Sequence, residues 1–153
     1  MNKYMSLANE LAEENLTTNN GGPFGACIVK NGEIIGKGAN CVLCNNDPTA
    51  HAEIMAIRDA CKNIGSYDLS GCEIYTSCYP CPMCLSAIIW SNIKMVYYGN
   101  SVKDACDIGF RDKYIYDYIK GINNDVLNLE SIDRDETIKI FNEYKEKQDK
   151  TIY

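Results

Sequence analysis

A chain of 153 residues that is 46% hydrophobic and 24% charged suits a single globular domain and excludes a wholly disordered or fibrous protein. Its net charge of −6 at pH 7 argues against a broad basic face for a phosphate backbone and favours a small uncharged substrate over nucleic acid. No apolar run reaches the roughly 20 residues that span a bilayer, and the Met1-Asn2-Lys3-Tyr4-Met5 start lacks a signal-peptide layout, so a cytoplasmic protein with no membrane contact is expected.

Tyr4, Leu7, Ala8, Leu11 and Ala12 recur at helical spacing and predict an amphipathic helix over 4–14, stopped by Asn19-Asn20-Gly21-Gly22-Pro23. Two strands flanking Asn31-Gly32 follow, because that dipeptide supplies the two positive-φ positions of a tight hairpin. Asp47-Pro48 reads as an N-cap followed by proline at the first helical position, which predicts a helix over 48–63. A third strand is expected over 72–77, a helix from Pro82 through Trp90, and a fourth strand over 93–99. The order αββαβαβ implies a mixed sheet with helices on its faces. Beyond Gly99 the pattern predicts helices over 113–120 and 137–147 and a short strand over 125–129. Near-balanced charges along the last helix mark a solvated face.

Nine cysteines are an odd number in a chain large enough to fold without staples, so metal-held thiolates explain them better than a disulfide framework. His51-Ala52-Glu53 and, thirty positions on from His51, Pro80-Cys81-Pro82-Met83-Cys84 carry the chemistry. Imidazole nitrogen and two thiolates from His51, Cys81 and Cys84 are three ligands for tetrahedral Zn2+, leaving a fourth position for water. Each is expected in the first turn of a helix, where free backbone N–H groups favour a thiolate. Zinc makes bound water acidic but does not carry protons to a substrate; Glu53, two residues from His51, can. H-x-E followed by P-C-x-x-C is the pattern of zinc deaminases. A closed structural zinc module completed by Cys78 or Cys44, and a hydrolase using His51 as base, are the competing readings. Cys41-Val42-Leu43-Cys44 lacks a partner at zinc-finger spacing and reads as incidental thiols, while Cys27, Cys61, Cys72 and Cys106 read as small core residues.

Gly22-Pro23-Phe24-Gly25-Ala26, Asn46 through Glu53, Ala56-Ile57-Arg58 and Tyr75 through Cys84 resemble the cytidine deaminase-like superfamily. Ala105 through Asp112, with Tyr114-Ile115-Tyr116 and the terminal Tyr153, is similar to the small bacterial guanine deaminases within it. The resemblance implies one domain over 1–153, a three-layer α/β/α sandwich on a mixed sheet, bound Zn2+, and hydrolysis of guanine to xanthine and ammonia as a step of purine breakdown. It implies that Asp112 assists Glu53 in proton transfer, and that Phe24, Asn40, Ala52, Trp90, Phe110 and Tyr153 contact the nucleobase. It further implies a homodimer in which about 101–153 crosses to cap the neighbour's site. Tyr79 departs from the pattern, which places an acidic residue before the Pro-Cys, and this leaves substrates open: guanine, or another aminated base or nucleoside, among them cytosine, an aminotriazine and guanosine. A tRNA adenosine deaminase and a non-catalytic zinc-binding module remain the alternatives.

Overall fold

The computed structural model describes residues 1–153. Helix α1 (Lys3–Thr18) opens on Asn2, whose side chain accepts from the backbone N–H of Tyr4 and Met5, and ends at Asn19 in the left-handed region. Strands β1 (Gly25–Lys30) and β2 (Glu33–Ala39) form the expected hairpin. Asn31 and Gly32 turn it with φ of 50° and 83°, the two positive values that a tight turn between right-twisting strands needs.

After β2 the chain makes a one-turn helix, α2 (Val42–Asn45), that the sequence pattern did not announce. The next helix, α3 (Ala52–Ile64), begins four residues later than predicted. Asp47 does not cap it: its carboxylate accepts from Thr49 N at 2.8 Å and Thr49 Oγ1 at 2.6 Å, a local turn that competes with helix over 47–50. The N-cap is His51, in extended conformation. Strand β3 (Cys72–Cys78), helix α4 (Pro82–Trp90) and strand β4 (Met95–Asn100) follow as expected.

The four strands lie in the order β2-β1-β3-β4. β1 is antiparallel to both its neighbours, and β3 is parallel to β4 through the α4 crossover, so the sheet is mixed. Alternation along β1 divides the core. Ala26 and Ile28 face a cluster with Ile74, Ile88, Ala52 and Ala56; Cys27 and Val29 face Tyr75, Tyr4 and Leu7 on the other side. Thus α1 covers one face and α3 with α4 the other, giving the α/β/α layers.

Glycine sets the spacing between α3 and the sheet. A Cβ on Gly38 would fall 2.3 Å from Ala52 O and 2.5 Å from Ala56 N, and one on Gly36 would fall 2.5 Å from Ala56 O. The helix answers with Ala52, Ala56 and Ala60, all fully buried.

Past β4 the chain forms α5 (Val102–Asp107), α6 (Asp112–Ile119) and α7 (Arg134–Glu146). Helix α5 was not foreseen, although Ser101 and Asp104 form a full capping box at its start. The strand expected at 125–129 does not form; Asp125 and Leu127 to Leu129 have no strand partner and are exposed. Cys106, expected in the core, is exposed, whereas Cys27 and Cys72 are buried and Cys61 is partly so.

Gly38→Ala is therefore expected to destabilise the fold by about 1–3 kcal/mol, since the clash with backbone exceeds the modest entropic gain of losing a glycine. A urea titration showing an unchanged midpoint would refute this close-packing account.

Candidate active site

The local structure brings two helix starts together. His51 is the N-cap of α3 and Cys81 the N-cap of α4, with Pro82 at the first helical position and Cys84 in the first turn. The two cap residues thus stand just outside their helices, not in the first turns as the pattern suggested. His51 Nδ1 lies 3.5 Å from Cys81 Sγ, and the ligand atoms of His51, Cys81 and Cys84 all lie within 4.8 Å of one another. Tetrahedral zinc with sulfur and nitrogen ligands spaces its donors about 3.5 Å apart, so this N,S,S set fits the ion. Neither Cys78, whose thiol faces Ser101 O at 3.6 Å, nor exposed Cys44 joins the group. A closed four-ligand module therefore has no fourth protein donor here.

Electrostatics favour anionic sulfur at Cys81. Hydrogen bonds from Cys84 and His51 outweigh burial and pull its thiol down to about 4. The same shared hydrogen bond, with burial, pushes Cys84 up. The Cys81 sulfur in turn raises His51 above its ordinary value.

Glu53 sits at the floor of the site, 7% exposed, with Thr76 Oγ1 3.4 Å from its Oε1. Burial raises its carboxyl above the usual range, and the Cys81 charge adds to that. A carboxyl moved upward in this way keeps a proton more readily than an exposed one, which suits it to proton exchange. A cavity of about 450 Å³ opens above it, lined among others by His51, Cys81, Phe24, Asn40, Phe110 and Asp112. Phe24 and Phe110 meet edge to face with centroids 4.7 Å apart. Asn40 is 3% exposed; its Oδ1 accepts from Val42 N at 3.1 Å and its backbone carbonyl from Asn15 Nδ2 at 2.8 Å.

Asp112 begins α6, and burial followed by the Cys81 charge raises its carboxyl. One turn on, Tyr116 donates its hydroxyl to Pro80 O at 2.7 Å, which fastens α6 to the turn carrying Cys81.

Three expected contacts lie elsewhere in the single chain. Ala52 is fully buried in the core against Gly38 and does not line the cavity. Trp90 ends α4, eight residues beyond its first, which puts it about 12 Å along the helix axis from the Cys81 end. It meets Tyr153 at 6.1 Å instead, and the two border a separate cavity of about 370 Å³ with Ile57, Cys61 and Tyr67. Lining residues that the sequence did not single out are Val42, Leu43, Pro48 and Arg111, together with Gly21. Pro48 and Arg111 stand in stretches that carry the resemblance and Gly21 in the Asn-Gly-Gly loop, but Val42 and Leu43 gave no signal, since short irregular segments carry no periodicity. Tyr79, noted for its departure, also lines the cavity and packs edge to face on Tyr98 at 4.9 Å.

Comparisons with known proteins agree with this geometry. Residues 1–100 match the cytidine and deoxycytidylate deaminase zinc-binding region. The guanine deaminase of Bacillus subtilis is 53% identical over 113 residues, covering 74% of this chain and 72% of that protein. The crystal structure of guanine deaminase from Bacillus subtilis superposes with a TM-score of 0.93 at 43% identity, over 100% of this chain and 99% of that one. A tRNA-specific adenosine deaminase of Buchnera aphidicola is 49% identical over 82 residues, only 54% of either chain.

The purified protein is expected to hold about one zinc per chain, and His51→Ala or Cys81→Ala to lose most of it, as three-ligand sites do when a donor is removed. Metal analysis finding full zinc in Cys81→Ala would exclude this ligand set.

Proposed function

The chain belongs to the cytidine and deoxycytidylate deaminase zinc-binding family, and from that premise we propose that it hydrolyses guanine to xanthine and ammonia. The observation that carries the reading is a buried carboxylate, Glu53, set beside an N,S,S donor triad at the base of a cavity walled by aromatic rings. Similarity to guanine deaminase along the whole chain, against half of it for the tRNA-specific relative, supports guanine as the base. The net charge of −6 weighs in the same direction, because an anticodon loop is held through its phosphates.

His51, Cys81 and Cys84 would hold zinc, which supplies a water acidic enough to react near neutral pH. Glu53 would take one proton from the attacking water and pass it to the ring nitrogen as the oxygen bonds to C2. It would then move the remaining hydroxyl proton to the amine, so that the C2–N bond breaks, ammonia leaves and C2 keeps the oxygen as a carbonyl. Asp112, with its raised carboxyl facing the same cavity, holds the departing amine. Asn40 donates to the base, and the rings of Phe24 and Phe110 fix the plane of the heterocycle and exclude water.

The same reading includes a second copy of the chain. Within 101–153 only Ala105 is buried, while Ile119, Ile122, Leu129, Phe141 and Ile152 are exposed, more apolar surface than a lone chain leaves to water. In a homodimer with exchanged C-terminal segments this surface is covered, the stretch 110–116 is supplied to each cavity by the other copy in the place it holds here, and Trp90 and Tyr153 approach the neighbour's cavity. Sedimentation at about twice the chain mass is expected; a monomer at micromolar concentration would exclude the exchange.

Glu53→Gln should keep its zinc and lose about 100- to 10,000-fold in ammonia release from guanine. The assay includes guanosine, cytosine, adenine and an anticodon stem-loop. Near-normal turnover in Glu53→Gln would overturn the mechanism, and release from another member of the panel would move the substrate.

A further inference from the structure

Arg111 lines the same cavity as Glu53 and Asp112, yet the fold gives it no partner. Arg58 pairs with Asp47 at 3.5 Å, whereas the guanidinium of Arg111 makes no ion pair or hydrogen bond within the chain. Its backbone is nonetheless fixed. Ile115 N donates to Arg111 O at 3.2 Å, Phe110 N to Ala105 O at 3.0 Å, and Tyr116 ties the following helix to Pro80 at 2.7 Å. The charge that acts on neighbouring Asp112 comes from Cys81 and His51, so Arg111 is not its counter-ion. Arg111 is thus an exposed lining residue whose five donors are unpaired within the chain, while the neighbouring carboxylate answers to other groups.

The orientation that guanine must take for reaction supplies what this cation lacks. C2 lies across the six-membered ring from C5, so a base that presents C2 to Glu53 turns its O6 and N7 toward the opening. These two acceptors lie side by side and in plane, and a guanidinium matches them with two parallel N–H donors. Adenine puts an amino donor where guanine has O6, and cytosine has no N7. We propose that Arg111 is a specificity-determining residue that reads the O6/N7 edge of the bound purine. The inference rests on the guanine reading above and extends it to the far side of the ring, away from the metal donors.

The experiment compares guanine with 7-deazaguanine, in which N7 is replaced by C–H, in the zinc-loaded enzyme and in Arg111→Met and Arg111→Lys. The native enzyme should favour guanine in kcat/KM, and that preference should shrink at least about fivefold in Arg111→Met and less in Arg111→Lys. Comparing the ratio between proteins cancels any difference in intrinsic reactivity of the two bases. With 2,6-diaminopurine, whose amino group replaces O6, Arg111→Met should lose less against the native enzyme than it loses with guanine. A merely structural role, acting through displaced Asp112, would slow both bases alike and leave the guanine to 7-deazaguanine ratio as it was. An unchanged ratio in Arg111→Met, with zinc content and unfolding midpoint also unchanged, overturns the assignment while guanine turnover stands. Absence of ammonia release from guanine by the native enzyme overturns the underlying reading and the Arg111 assignment with it.

Discussion

The close approach of α3 to the sheet is the constraint on which the site depends. Gly36 and Gly38 on β2 leave no room for a Cβ against the backbone of Ala52, Ala56 and Ala60, so the helix axis is set by main-chain contact, with little freedom for side chains to readjust. The first residue of that helix follows His51, and its second is Glu53. The packing that stabilises one face of the sheet thus also sets the height at which an imidazole and a carboxylate stand above its edge. A similar device holds the other face, where a Cβ on Gly25 would fall 2.1 Å from Ala8 O. The sheet is clamped between two helices that touch it through small residues.

Convergence of α3 and α4 then follows from topology. The parallel pair β3–β4 requires a crossover helix, and α4 provides it. Its start lies just beyond the end of β3, at the same edge where α3 begins. Both N-termini bring unpaired N–H groups to one point, where anionic sulfur at Cys81 is favoured. Charge, not shape alone, sets the donor group apart: the thiols of Cys27, across the sheet, and of Cys78, in the cavity wall but off the donor group, are pushed up to about 11 chiefly by burial.

What could be read from sequence divides along the same line. The hairpin at Asn31-Gly32, both crossover elements and the three metal donors were legible, because turn chemistry, helix periodicity and ligand spacing are local properties. Asp47-Pro48 misled, since an aspartate that can cap a helix can equally bind its own backbone two residues on, and Thr49 decided for the latter. The remote placement of Trp90 was legible in principle: eight residues of helix separate it from the first turn of α4. In the C-terminal segment the helices expected over 113–120 and 137–147 form as α6 and α7, because their periodicity is local, whereas the strand expected at 125–129 does not, because those residues have no strand partner to pair with.

Tyr79 shows how the wall of the cavity and its chemistry are linked. The resemblance leads one to expect an acidic side chain there, next to Cys81. A carboxylate in that place would add a further anion to a corner that already holds the Cys81 sulfur, Glu53 and Asp112. The phenol ring instead packs edge to face on Tyr98 at 4.9 Å and lies 6.2 Å from Tyr116, extending an aromatic wall from β4 to α6. The burial that raises Glu53 and Asp112 is thereby kept without another charge to compete with it. With Arg111 also among its lining residues, the cavity sets two carboxyls raised by burial beside one cation, so its local charge is less acidic than the overall −6 suggests.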